Sequence, residues 1–273
     1  MQSSYYSCAS GMVAQFNRLD SIANNLANVN SAGFKEDNVI IGDFSRLFKE
    51  AQDELPLQNH TKDGAKYFNR AMTKAPQVVD AYTDFSLGVM QDSNNNLDLA
   101  LSKEGLFFLV KTPQGVRLTR DGTFTKADDG TLVTKDGYEV LPSDYFTSQQ
   151  NIKLNPQDSI ISIDKNGQIM TNAGGGAALS EGAKLFVAKP DNVNLLQKEG
   201  SNLYKYVSQD EVMSVEDSGA VLQGFVEKSN VNAVKAMTQM IETTRLVEMY
   251  QKAMDSQMND MNRDAIEKLA KKA

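Results

Sequence analysis

Both ends of this chain carry the apolar period of long helices, while the residues between them carry the short runs and turn pairs of β-sheet. Near the start, Tyr5, Cys8, Met12, Phe16, Leu19, Ile22, Leu26 and Val29 recur at steps of three or four. Near the end, Val234, Met237, Ile241, Thr244, Val247, Tyr250, Met254, Met258, Met261 and Ala265 keep the same spacing, over a length beyond that of an ordinary globular helix. Two such stripes at the termini present more apolar surface than one compact domain between them can bury. The pattern therefore implies partners, and it implies fraying of both ends in an isolated subunit, because a helix without packing is marginal in water.

Along the chain the first helix should end between Asn28 and Gly33, where Asn28, Asn30 and Ser31 compete for local backbone bonds and Gly33 admits a left-handed residue. Phe44, Leu47, Phe48 and Ala51 share a helical face and predict a short helix over 42–53. From Glu54 to Pro76 the sequence is polar and irregular, reads as an extended connector, and holds the sole histidine, His60. Strand-like runs follow at 97–101, 106–111, 116–119, 124–126, 131–134, 138–141, 160–163, 169–171 and 185–188, with a last one over 221–226. Asp121-Gly122, Asp129-Gly130, Asp136-Gly137 and Asn166-Gly167 are the pairs that tight hairpins favour, and Gly174-Gly175-Gly176 reads as a surface loop. Ser229 or Asn230 can cap the final helix. The expected fold class is α+β: terminal helices forming a coiled-coil-like α domain, with an inserted, mostly antiparallel β domain. The expected boundaries are an N-terminal helix and its following turn over 1–35, a connector over 36–79, the β domain over 80–226 and the C-terminal helix over 227–273.

Composition narrows the function classes. With 273 residues the chain can bury a real core, and its net charge of −7 argues against a polyanion-binding surface, so nucleic acid is not an expected partner. No run approaches the roughly eighteen apolar residues of a membrane-spanning helix. The opening Met1-Gln2-Ser3-Ser4-Tyr5-Tyr6 has neither the basic start nor the apolar block of a cleaved signal peptide. Cys8 has no internal partner and sits on the apolar stripe as a small packed hydrophobe.

Catalytic and ligand-binding patterns fail one by one. Asp92-Ser93-Asn94-Asn95-Asn96-Leu97-Asp98 begins like a calcium loop, but Leu97 stands where that loop needs glycine and Lys103 where it needs glutamate. His60 and Cys8 are too few for a metal site of histidines or cysteines, and no nucleophile signature accompanies His60. Gly174 to Gly176 lead into Ala177-Ala178-Leu179, without the lysine and hydroxyl of a phosphate loop. Asp128-Asp129 reads as a pair of turn carboxylates. No catalytic residue, metal or cofactor is expected. Met237, Met240, Met249, Met254, Met258 and Met261 cluster on the last helix, where flexible thioethers suit a surface that meets several neighbours.

The wording of the two ends is more specific than their period. Ser10-Gly11-Met12, Leu19-Asp20-Ser21-Ile22-Ala23-Asn24-Asn25-Leu26-Ala27-Asn28-Val29-Asn30 and Gly33-Phe34-Lys35 resemble the N-terminal signature of the axial proteins of the bacterial flagellum. Gly224-Phe225-Val226-Glu227, Ser229-Asn230-Val231-Asn232-Ala233-Val234 and Met240-Ile241-Glu242-Thr243 resemble the matching C-terminal signature. Within those proteins the chain is similar to the FlgF/FlgG rod family. Met237-Thr238-Gln239-Met240-Ile241, Arg245-Leu246-Val247-Glu248-Met249, Lys252, Met254 and Asn262-Arg263 are more similar to the proximal-rod type than to the distal-rod type, which more usually carries Arg-Ala-Tyr-Glu. The resemblance implies a non-enzymatic, torque-transmitting subunit that leaves the cell through the flagellar type III export apparatus, without signal cleavage. It would join copies of itself and other rod proteins in a helical array where the rod crosses the periplasm. The implied assembly residues are Met12, Phe16, Leu19, Ile22 and Leu26 with Val234, Met237, Ile241, Val247 and Tyr250. The alternatives are a distal-rod subunit and, from another class, a monomeric β-rich binding protein or esterase-like enzyme.

Overall fold

The computed structural model describes residues 2–43, 76–148, 150–154, 161–172, 180–206, 212–214 and 219–270. The architecture is α+β, with a long helix at each end and a mostly antiparallel β region between them. It divides into two compact units: Met1–Ala27 with Asp37–Thr83 and Asn232–Ala273, and Asn28–Glu36 with Asp84–Val231.

The first unit is built on helix α1 (Gln2–Ala27) and helix α2 (Ala233–Ala270), which pack on each other. Ala14, Gln15, Ile22 and Asn25 line the buried side of α1, and Ala236, Thr243 and Val247 that of α2. Helix α2 is capped by Asn232, whose Oδ1 accepts from Lys235 N at 3.1 Å. Neither Ser229 nor Asn230 does this, because Ser229 Oγ takes the Val231 amide and Asn230 is committed elsewhere. The same unit contains a two-stranded ribbon of β1 (Glu36–Asp43) and β2 (Pro76–Asp84). Such a ribbon is marginal alone, and α1 supplies its support. Asn25 brackets the Asp37 peptide, donating from Nδ2 to Asp37 O at 2.8 Å and accepting from Asp37 N at 2.9 Å. Ser21 Oγ donates to the same carbonyl, and Ser10 Oγ donates to Pro76 O, both at 2.8 Å. Strands thus occupy both described ends of the segment read as connector, and Gly42 and Asp43, expected to open a helix, lie in β1. The rest of that short helix, His60 and Gly174 to Gly176 lie outside the described residues.

The second unit is the β region. Among the described residues its largest sheet has nine strands, running β14 (Leu196–Gly200), β15 (Leu203–Tyr206), β6 (Gly115–Thr119), β5 (Phe107–Thr112), β9 (Glu139–Val140), β8 (Leu132–Thr134) and β7 (Phe124–Lys126); β13 (Val187–Pro190) also pairs with β5 and carries β16 (Val212–Ser214). The core shows why Leu106 to Val110 is a continuous apolar run. Successive side chains point to opposite faces of a strand, so Phe108 and Val110 enter one cluster with Leu99, Phe124, Leu132 and Val221, while Phe107 and Leu109 enter a second with Leu118, Phe186 and Tyr204. Both faces of β5 are covered, hence no polar alternation.

Three of the four predicted turn pairs close hairpins. Gly130, Gly137 and Gly167 stand at φ +85°, +83° and +83°, in the turns that join β7 to β8, β8 to β9, and β10 (Ile161–Ile163) to β11 (Gln168–Thr171). Asp121-Gly122 does not. Gly122 has no positive φ, and its carbonyl instead accepts from Leu99 N at 2.9 Å in a backbone crossing too close for a side chain. The expected last strand over 221–226 is two, β17 (Val221–Gln223) and β18 (Phe225–Glu227), broken at Gly224 (φ +79°). Strand β17 pairs with β4 (Leu99–Leu101), and β18 with β3 (Met90–Asp92).

Burial pushes the Asp121 carboxyl above its ordinary value of 3.8, against hydrogen bonds from Thr123 that favour the charged form. Between the ordinary and the raised value the folded chain keeps a proton that the unfolded chain has lost. Stability from this group is therefore fully present below the window and falls as pH rises through it. Asp121→Asn removes the dependence, so the wild-type thermal midpoint should decline relative to the variant's as pH rises from 3.8. A constant difference across the acid range would contradict the assignment.

Candidate assembly surfaces and a buried ion-pair node

The two terminal signatures are working parts of the described fold. In the first unit Asn25 holds the Asp37 peptide as above, while Asn24 and Ala27 are exposed and Ala23 and Leu26 half-buried. In the second unit Asn28 accepts from Ser31 Oγ at 3.0 Å, Gly33 takes φ +66° and donates its amide to Glu227 O at 2.8 Å, and Phe34 is buried under the Lys198 ammonium, 3.7 Å from the ring centroid. Asn230 reaches two further segments of that unit: its Oδ1 accepts from Glu36 N at 2.8 Å and its Nδ2 donates to Asp84 O at 2.8 Å. Ser229 and Val231 are buried beside it in sequence.

At the centre of this meeting lies an ion-pair node within the second unit. Glu227 Oε1 accepts from Lys35 Nζ at 2.6 Å and from Gly88 N at 3.0 Å. Its Oε2 accepts from Arg120 Nε at 2.8 Å and pairs with Arg120 Nη2 at 2.7 Å. Three hydrogen bonds and one further ion-pair contact thus surround a single carboxylate. Arg120 Nη1 donates to Lys103 O and Leu106 O at 2.9 and 2.6 Å, and Nη2 to Leu101 O at 3.0 Å, so each of the three guanidinium nitrogens donates a hydrogen bond. All three charged side chains are about 1% exposed. Burial pulls Lys35 below its ordinary pKa, opposed by Glu227, and does the same to Arg120. One carboxylate facing two desolvated cations is held in a single geometry, which ties together 28–36, 84–92 and 224–231, the stretches where the chain enters and leaves this unit. Lys35 and Glu227 stand inside the two terminal signatures, which give them no individual role, and Arg120 belongs to no local pattern. Partners separated by 192 and 107 residues leave no local signal.

The residues expected to form the assembly surface divide into two sets. Ile22 and Val247 are buried in the α1–α2 pair of one chain, and Met12, Leu19, Leu26 and Tyr250 are half-buried. Phe16, Val234, Met237 and Ile241 face outward at 41%, 75%, 52% and 56% exposure. On α2 the outward residues Val234, Met237 and Ile241 precede or fall between inward Ala236 and Thr243, offset by two residues or about 200° of helix. Val13 beside Phe16 extends the outward surface on α1. Cys8 is half-buried, with Sγ 4.0 Å from Gln257 Nε2.

The one loop with a calcium-like opening spends its oxygens on itself. Asp92 Oδ1 accepts from Asn94 N, Asn95 Oδ1 from Leu97 N, and Asn95 Nδ2 donates to Asp98. Among the described residues no group of three His, Cys, Asp or Glu side chains is placed to hold a metal ion, and no helix is long and apolar enough to cross a membrane.

Three family models match the chain: "Flagella basal body rod protein" over 6–35, "Flagellar hook protein FlgE/F/G D1 domain" over 104–171, and "Flagellar basal body rod FlgEFG protein C-terminal" over 222–267. The chain is similar to the flagellar basal-body rod protein FlgF of Caulobacter vibrioides, 30% identical over 257 residues that cover 93% of this chain and 92% of the relative. It is similar to FlgG of Agrobacterium fabrum, 32% identical over 254 residues covering 89% and 91%, and to FlgG of Bacillus subtilis, 31% identical over 251 residues covering 90% and 91%.

Proposed function

The chain belongs to the FlgF/FlgG family of flagellar basal-body rod proteins, structural and non-enzymatic, and we propose that within this family it is a proximal-rod subunit of the FlgF type. The wording of α2, with Arg245-Leu246-Val247-Glu248 where the distal type more usually has Arg-Ala-Tyr-Glu, supports that reading. A distal-rod subunit remains the second reading, favoured by the FlgG relatives. The subunit is exported by the flagellar apparatus without signal cleavage and joins copies of itself and other rod proteins where the rod crosses the periplasm, transmitting torque. The terminal segments 1–35 and 227–273 carry assembly in a coiled-coil-like arrangement, 36–79 connects, and 80–226 forms the β domain.

The observation that carries assembly is the outward apolar stripe Val234, Met237 and Ile241, with Phe16 on α1. A surface that meets a different patch on the next copy generates a helical array, and Met237 adapts to unlike neighbours. Phe16→Asp and Ile241→Asp are expected to leave monomer stability within about 0.5 kcal/mol, as for other exposed substitutions, and to abolish basal-body recovery and motility halos. Normal motility in both strains would remove these residues from the interface. Image reconstruction of basal bodies carrying a tagged chain tests proximal against distal position.

A further inference from the structure

We infer that Gly11 and Tyr250 form a register lock between α1 and α2, so that one glycine sets the axial alignment from which the outward assembly stripes are presented. The inference rests on the rod reading and adds positioning residues to it. Gly11 is buried, and a Cβ built on it would stand 2.7 Å from Tyr250 Cε1, 2.8 Å from Cζ and 3.0 Å from Oη. The phenol ring therefore lies directly on the α1 backbone, in a notch that only a missing side chain provides. Farther along the pair, Cys8 meets Gln257. Moving back along α1 while moving forward along α2 makes the two helices antiparallel.

Gly11 stands in the interior of a 26-residue helix, where glycine is a poor helix former and alanine would serve the local backbone better. Its presence runs against local propensity and fits the ring above it. Sliding either helix by one turn, about 5.4 Å, would bring Cys8, Ala14 or Gln15 under Tyr250. Each has a Cβ where the ring needs space. The lock thus rejects neighbouring registers by overlap, whereas the aliphatic contacts of Ile22, Ala236 and Val247 could be remade after a slide. Tyr250, expected from sequence to touch neighbouring copies, is half-buried with its ring edge against Gly11 of its own chain. The relative height of Phe16 and Val13 on α1 and of Val234, Met237 and Ile241 on α2 follows from this one contact.

The test is a size-swap cycle in the full-length chain: Gly11→Leu, Tyr250→Ala and the double substitution. Because Cys8 is the native chain's one cysteine, adding Gln257→Cys provides a single pair for a short bismaleimide crosslinker, which reads register. Gly11→Leu should lower the thermal midpoint of the purified subunit, reduce the crosslink about tenfold and abolish basal-body recovery. The double substitution, with leucine filling the space left by the ring, should restore more than half of the crosslink and of recovery. Strictly additive effects, or a wild-type crosslink yield in Gly11→Leu, would overturn the lock. If the unsubstituted chain is itself missing from purified basal bodies, the rod reading fails instead. If it is present and the cycle is additive, only the lock fails.

Discussion

Glu227→Gln should destabilise the β-rich unit by about 3–5 kcal/mol, the range for removing one partner from a buried ion pair. The shape is nearly conserved, so the loss is electrostatic. Lys35 and Arg120 would remain desolvated with no anion between them, and the new amide would have to turn its NH₂ group toward one of them. The paired control is Glu139→Gln. Glu139 pairs with Lys111 at 3.5 Å and the two side chains are 36% and 48% exposed, so water can replace the contact and the expected cost is about 0–1 kcal/mol. Urea unfolding of both variants, followed by tyrosine fluorescence of a chain without tryptophan, measures the difference. Equal midpoints for the two variants would mean that the node contributes no more than a surface pair. Replacing Lys35, Arg120 and Glu227 together by Met, Met and Leu should recover much of the loss, since an apolar replacement leaves no unpaired charge.

Val247→Asp should be the most damaging single change in the first unit, at roughly 3–5 kcal/mol. It removes the apolar contacts of a residue only 6% exposed and places an unpaired carboxylate between two helices. The fraying expected of unpacked ends is opposed by the packing of α1 and α2 on each other within one chain, so the effect of Val247→Asp should be visible as lost helical circular dichroism in the isolated subunit, before any assembly step. Ile241→Asp, on the outer face of the same helix, should leave that signal in place and fail only in the rod. Loss of helix signal in the isolated subunit from Ile241→Asp, or its retention in Val247→Asp, would reverse the assignment of the two faces.

That division of faces marks the boundary of what periodicity alone tells. Local patterns identified helices at both ends, β runs between them, three of the four hairpin turns and the signatures of the family, because each depends on residues within a few positions of one another. The apolar series on the last helix combined two faces into one. Its steps from Ile241 to Thr244, Val247 and Tyr250 are each of three residues, and each falls about 60° short of a full turn. Three of them carry the series from the outer face to the inner one, so which end meets α1 and which meets another copy was decided only by packing. The polar run of β14, with Gln197, Glu199 and Gly200 turned to solvent and Leu196 and Lys198 half-buried, carries no apolar alternation, and only pairing in the sheet makes it a strand. The Asp121-Gly122 pair matched a hairpin in composition, yet the approach of Leu99 determines its geometry. The node of Lys35, Arg120 and Glu227, and the seat of Tyr250 on Gly11, join residues far apart in the chain. Sequence supplies such charges, rings and notches, but their partners are chosen by the tertiary fold, since desolvation penalises every buried polar arrangement that leaves one unmatched.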